Sequence, residues 1–245
     1  SILGTKETQN ELKELAEQLE NCRCYVDYNE LLESDVDTVY IALPNNLHFN
    51  YARQAILKDK NVIIEKPITL SLEELLELDR LAKANNLILL EAMNLHYLDS
   101  FKSLSKAISK VGDLKVVTLN YSQRSSRYEA FLNGDVHPSF SQVKGGGALM
   151  DINYYNLHFA VGLFGAPKNS SYFPNIINQA DVSGVAVLDY DSFKVVCTGT
   201  KDCGADIPSS IQGTDGFIIV EKPVNQFNEY KIITNMKGEE TIKIK

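Results

Sequence analysis

The triplet Glu65-Lys66-Pro67 closes the apolar run "NVII" (61–64), and Glu221-Lys222-Pro223 closes a second run, "GFIIV" (216–220). A lysine held at the end of a buried strand can hydrogen-bond or protonate a developing alkoxide, and an adjacent carboxylate can position or tune it. The same letters also describe a solvated Glu-Lys pair. A third stretch, "GGGALMDINYYNLHFAVGLFG" (145–165), predicts a helix from about Ala148 with Asp151, Tyr155 and His158 at i, i+4 and i+7, on one face. An aspartate near a helix start is favoured by the dipole, and tyrosine and histidine both pass protons. The plainer account is a first-turn acid followed by two packing side chains.

The surrounding elements separate the two triplets. "TQNELKELAEQLE" (8–20) has apolar residues at helical spacing, with Thr8 or Asn10 as cap, and "TVYIAL" (38–43) reads as a buried strand ending in Pro44-Asn45-Asn46. "HFNYARQAILKDK" predicts a helix, "NVIIE" a strand, "SLEELLELDRLAKANN" a helix capped by Ser71, and "LILLEAM" another strand. Strands alternating with helices give a doubly wound parallel sheet, which binds ligands beyond the carboxyl ends of its strands. Pro44, Asn45 and His48 follow one such end, Glu65 to Pro67 the next, and Glu91 closes a third. Lys66 therefore faces the ligand edge. After about residue 95 the rhythm changes: a helix (101–110), the strand "LKVVTLNYS", a loop over 123–144, the helix after Gly145-Gly146-Gly147, and strands alone from 180 onward. Glu221-Lys222-Pro223 sits among those strands and reads as a strand ending at a proline. The expected class is α/β: a Rossmann-like doubly wound domain (1–95) and an α+β domain (96–245) with a large, mostly antiparallel sheet.

The totals fit this plan. A chain of 245 residues suits two unequal domains, and 44% apolar with 23% charged residues is ordinary for a folded protein. A formal charge of −8 argues against nucleic acid as partner, and no apolar run reaches the roughly 20 residues of a membrane helix. The start, "SILGTKETQN", has no signal-peptide pattern, so a cytoplasmic location is expected. Cys22 and Cys24 are too close for an easy mutual disulfide, and the four cysteines are read as reduced thiols. The four histidines, His48, His96, His137 and His158, are too dispersed for a local metal motif, so no metal is expected.

Together, "DVDTVYIALPNNLHFNYARQAILKDKNVIIEKPITLSLEEL" and "GGGALMDINYYNLHFAVGLFG" resemble the cofactor-domain signature and the substrate-site helix of the glucose–fructose oxidoreductase/inositol dehydrogenase (Gfo/Idh/MocA) family. The resemblance covers nearly the whole chain. It implies an NAD(P)-dependent oxidoreductase acting on the CH–OH group of a sugar, polyol or dihydrodiol. Lys66 matches the family's catalytic lysine, with Glu65 beside it and a bond before Pro67 that is often cis in relatives. Asp151 matches the substrate-site aspartate, and Tyr155 the position that is His or Tyr in different branches. Asn153 replaces a common glycine. His158 and Arg124 are candidate substrate contacts, the latter on the loop with Arg127 and Tyr128. Pro44, Asn45 and His48 match the loop on the nicotinamide side. Relatives pair through the C-terminal sheet, which implies a homodimer or tetramer.

One family feature is missing. None of the fourteen glycines forms the G-x-G-x-x-G turn that cradles the pyrophosphate, and Gly145 to Gly147 sit in another context. "SILGTKETQ" aligns with the family's second strand, and "TIKIK" stops before its closing elements, so the reading expects a chain trimmed at both ends. Where NAD-preferring relatives place an acid for the ribose 2′-OH, this chain has Gly4-Thr5-Lys6, and Thr5 and Lys6 suit a 2′-phosphate, so NADP is expected over NAD. Two other functions stay open: a non-catalytic ligand sensor of the same fold, and a fragment without a cofactor site.

Overall fold

The computed structural model describes residues 1–19, 21–236 and 238–244. The chain forms two compact units, Ser1–Ala92 and Met93–Lys245. Among the described residues no helix is long and apolar enough to cross a membrane.

The first unit runs β1 (Ile2–Leu3), α1 (Gln9–Glu17), β2 (Cys24–Tyr25), α2 (Tyr28–Glu33), β3 (Thr38–Ile41), α3 (His48–Leu57), β4 (Asn61–Ile64), α4 (Leu72–Ala84) and β5 (Leu89–Glu91). Its strands pair in parallel, as the alternation requires. Val39, Ile41, Val62 and Ile64 are buried against Ala52, Ala55, Ile56 and Leu78 of α3 and α4. Caps set the helix starts: Asp27 accepts from Asn29 N–H and Glu30 N–H, and Ser71 accepts from Glu74 N–H. The expected single sheet is instead two, β1-β2 and β3-β4-β5. A cavity of about 360 Å³, lined by Ile2, Leu3, Tyr28 and Thr38 to Leu43 among others, lies along both of their edges. In the doubly wound order, that position belongs to the strand carrying the glycine turn.

The second unit contains α5 (Asp99–Ala107), β6 (Leu114–Ser122), α6 (Tyr128–Leu132), α7 (Tyr154–Phe164), and strands β7 (Asn169–Ile177), β8 (Ala180–Asp189), β9 (Lys194–Thr200), β10 (Ser209–Gly213), β11 (Gly216–Val220), β12 (Glu229–Thr234) and β13 (Gly238–Lys243). Eight strands form one sheet in the order β13-β12-β11-β10-β6-β9-β8-β7, antiparallel except where β6 meets β9. Alternation along β6 buries Val117, Leu119 and Tyr121, and the first two join Phe101, Leu104, Phe159 and Ala160 in a helix-on-sheet core. Val116 and Phe217, each 39% exposed, lie on the opposite face, both beside Gln212. Two strands escaped the sequence reading. β7 carries Pro174 and polar residues, which only an edge strand tolerates, and β10 is the short polar "SSIQG".

The segment 123–144, expected as a loop able to cover a substrate, is ordered. It contains α6 and two 3₁₀ turns, and Tyr128, Phe131 and Phe140 pack with Ala180 and Val182 in a small core of their own. Tyr128 is thereby buried rather than presented to a ligand.

Candidate active site

In the first unit three side chains fasten the strand ends. Pro44 opens a 3₁₀ turn (Asn45–Leu47) that runs directly into α3. His48, wholly buried, has Nδ1 2.8 Å from the Pro67 carbonyl and Nε2 2.8 Å from the Leu43 carbonyl. A neutral imidazole donates to one of these oxygens, and a protonated one to both. The residue read as lining a cofactor is thus turned inward and ties the loop after β3 to the loop after β4. Glu65 accepts from the Tyr40 hydroxyl through one oxygen and from the Lys66 backbone N–H (3.3 Å) through the other. Tyr40 is pushed up to about 12, chiefly by that hydrogen bond, then by burial and the carboxylate's charge. Glu91 accepts from Ile68 N–H at 2.8 Å, which fixes the chain just past Pro67. The Lys66–Pro67 peptide is cis. Glu65 and Glu91 thus hold the backbone on either side of Lys66 and Pro67.

At the end of β1, a Cβ on Gly4 would lie 2.5 Å from Leu12 Cδ1, so this glycine lets α1 pack against the turn. Thr5 and Lys6 are exposed beyond it. The Thr5 hydroxyl lies 3.4 Å from that of Thr8 and also bonds Glu7, which holds the Glu7 carboxyl below its usual range. Lys6 carries the positive charge of this turn.

The second triplet has a different setting. It follows an antiparallel strand, and Glu221 pairs with Lys231 of the neighbouring β12 at 2.8 Å, both exposed. That is the solvated Glu-Lys pair.

In the second unit the expected single stripe is broken. Leu149–Asn153 is a π-helical turn and α7 begins only at Tyr154. Extra-wide turns of this kind change the angular spacing and recur at functional sites. Asp151, Tyr155 and His158 accordingly meet different partners. Asp151 Oδ2 lies 2.6 Å from Lys201 Nζ; Tyr155 packs on Tyr121, ring centroids 5.9 Å apart; His158 Nδ1 lies 3.0 Å from His96 Nε2. Two buried asparagines bind this helix to β9. Asn153 donates to the Cys197 carbonyl (3.0 Å), and Asn156 to the Thr198 carbonyl and to Asn153 Oδ1 (both 2.9 Å). Gly199 makes the room, since a Cβ there would lie 2.6 Å from the Asn153 Cβ. The place of the Asn153 side chain therefore depends on the glycine at 199.

Gly145 to Gly147 lie just before this helix. They fold back on 138–141, with Gly146 N–H bonded to the Ser141 carbonyl and Gly147 N–H to that of Ser139. Asp181 then fixes the helix start, accepting from Leu149 N–H (2.7 Å) and the Tyr172 hydroxyl (2.8 Å). Around Asp151, His137 is pulled below its ordinary range by burial first and then by Arg127 and Lys201, against the opposing pull of Asp135 and Asp151. Arg124 is engaged with Glu129 and lies 5.0 Å over the Tyr128 ring. Sequence reasoning missed Lys201 and Asp181. "TGTKDCG" reads as a strand end with a solvated lysine, and only the fold turns it inward.

Residues 5–93 match the family model described as "Oxidoreductase family, NAD-binding Rossmann fold" (GFO_IDH_MocA). Over 210 residues the chain is 38% identical to scyllo-inositol 2-dehydrogenase (NADP(+)) IolU of Bacillus subtilis, covering 85% of this chain and 64% of that protein. It is 37% identical over 200 residues to the oxidoreductase YgjR of Escherichia coli, covering 81% of this chain and 61% of that one. The chain thus spans a little over three fifths of these relatives' length. The fold matches KijD10, a 3-ketoreductase from Actinomadura kijaniata in complex with TDP-benzene and NADP, in its open conformation, with a TM-score of 0.80 at 19% identity, covering 100% of this chain and 75% of that one.

Proposed function

Because the chain belongs to the Gfo/Idh/MocA oxidoreductase family, we propose that it serves NADP-dependent oxidation or reduction at the CH–OH carbon of a polyol or sugar. The observation that carries this reading is the fixed backbone around Lys66, between a Glu65 anchored by Tyr40 and an Ile68 held by Glu91, at the end of a parallel strand. The cofactor, when bound, accepts or returns the hydride. Lys66 and Tyr155 take and return the hydroxyl proton, a contribution typically worth about 10²–10⁴ in rate. Asp151 holds the substrate. Pro44, Asn45, Glu65 and Lys66 contact the nicotinamide end, with His48 fixing their loops. Lys6, with Thr5, takes the 2′-phosphate; a turn with an exposed ammonium suits that group, although Glu7 stands next to it. The relative IolU is named for NADP(+) and scyllo-inositol, which favours a cyclic polyol as substrate. The open face bearing Val116 and Phe217 is where two copies would pair.

Calorimetric titration with NADPH and with NADH tests the cofactor part. A micromolar constant, about −8 kcal/mol, for NADPH with weaker NADH supports it; equal affinities refute the role of Lys6. Lys66→Met should then abolish most turnover of inositols with NADPH binding retained, and normal turnover refutes the assignment. A ligand sensor without turnover is the second reading. It predicts polyol binding with no hydride transfer.

A further inference from the structure

Lys201 is a buried cation that the proposed chemistry does not use. Its side chain is 2% exposed at the end of β9, while that of Asp151 is 32% exposed. A desolvated ammonium is tolerated only when its donors are met. Lys201 Nζ donates to Asp151 Oδ2 at 2.6 Å and to the Ser139 carbonyl, and sits 4.2 Å over the Phe140 ring. Its own backbone is held on both sides, N–H to the Val182 carbonyl (2.8 Å) and carbonyl to Ser125 N–H (2.8 Å). The Ser139 carbonyl that receives the ammonium also receives Gly147 N–H, four residues before Asp151. One ammonium thus joins β9, the 138–140 turn and the π-helical turn, with the cation inside and the anion reaching outward.

We infer that Lys201 is a positioning residue that holds Asp151 as a fixed carboxylate, so that Asp151 accepts a hydrogen bond from a substrate hydroxyl and does not relay protons. This rests on the dehydrogenase reading given above. A carboxylate paired with an ammonium favours its charged form and is acceptor-only. The orientation follows too. Oδ2 is held on the interior cation while the Asp151 side chain keeps 32% of its surface exposed. Asp151 and Lys201 both act on neighbouring His137, as do Arg127 and Asp135. The Lys201–Asp151 pair carries no net charge. That suits an uncharged polyol better than a sugar acid or sugar phosphate. Tyr155 and Lys66 are left to carry the proton.

The test follows the Asp151 carboxyl by carbon NMR through a pH titration in the wild-type chain and in Lys201→Met, a near-isosteric change. The expected result is a titration midpoint that rises in Lys201→Met. Inositol turnover should fall about 10²-fold, as misplacement of a substrate-holding group does, while NADPH affinity stays constant and Lys201→Arg recovers part of the loss. An unchanged midpoint in folded Lys201→Met overturns the inference whatever the activity. A raised midpoint with no turnover by any form upholds the positioning role and refutes the dehydrogenase reading instead. If Lys201→Met does not fold, Asp151→Asn reads the same pair from its other side. The Lys201 ammonium resonance must shift, and a resonance that stays in place overturns the inference.

Discussion

Replacing Gly147 with alanine tests whether the start of the Asp151 turn is built as described. Gly147 has φ +119°, and a Cβ there would fall 1.7 Å from Asp181 Oδ1. The chain then faces two costs. The backbone conformation is one that a side chain disfavours by about 1–3 kcal/mol. Asp181 must also swing away from the Leu149 N–H and the Tyr172 hydroxyl, each a hydrogen bond to a charged acceptor worth about 1.5–3 kcal/mol. If one of the two survives, the loss is roughly 2.5–6 kcal/mol, from the same ranges. For a unit of this size, each kcal/mol moves the midpoint by about 2–4 °C, so a fall of roughly 5–24 °C is expected. The chain has no tryptophan, so scanning calorimetry is the assay. In an Asp181→Ala background the clash partner is gone, and Gly147→Ala should then cost only the backbone term. Equal costs in both backgrounds would refute the reasoning, as would a wild-type loss below about 1 kcal/mol, since the strain range alone begins there.

Two further outcomes follow from neighbouring contacts. Tyr40 is raised to about 12 by its bond to Glu65, against an ordinary value near 10. Its stabilising contribution is therefore complete below about pH 10 and is lost as pH rises through about 12, where the unfolded chain releases this proton first. Subtracting the stability profile of Tyr40→Phe from that of wild type between pH 9 and 12 should leave a falling difference, and a flat one sinks the assignment. Gly199→Ala should destabilise by about 1–3 kcal/mol through overpacking against Asn153. Urea denaturation of Gly199→Ala, Asn153→Gly and the double variant should show strong non-additivity, with the alanine tolerated once Asn153 is gone; simple additivity would refute the contact.

Much of this architecture was legible in the sequence because it rests on periodicity and punctuation. The βα rhythm of 38–93 gave parallel strands at Thr38–Ile41, Asn61–Ile64 and Leu89–Glu91, and the Ser71 cap lies where its side chain and the apolar spacing require. β6 matches its predicted range, Leu114–Ser122, since alternation and β-branched residues agree there. What failed had a nonlocal cause. β7 is stabilised by pairing along β8, not by its own residues, and Pro174 hid it. The 123–144 segment looked like a loop because its aromatic anchors, Tyr128, Phe131 and Phe140, are too far apart for any single period and close on β8 and the end of β7. The π-helical turn at Asp151 left no mark, because its contacts are nonlocal, with Asn153 of the turn seated on β9 at Cys197 and Gly199.

The two Glu-Lys-Pro triplets make the same point about function. Identical letters end an apolar strand in both places, and neither composition nor local propensity separates them. The first lies where parallel strands end together, so neighbouring strands supply Tyr40 to anchor Glu65 and Glu91 to hold Ile68, and the lysine's backbone is fixed from outside the triplet. The second lies at the end of an antiparallel strand, where the adjacent strand offers only Lys231, and the glutamate spends its charge on that surface pair. An exposed pair of that kind contributes little, and it positions nothing. Lys201 is the converse case, a lysine with no motif around it that the fold buries against the Asp151 carboxylate. Chemical role in this chain follows from which strand ends converge on a side chain, and a motif is informative to the extent that it reports that convergence.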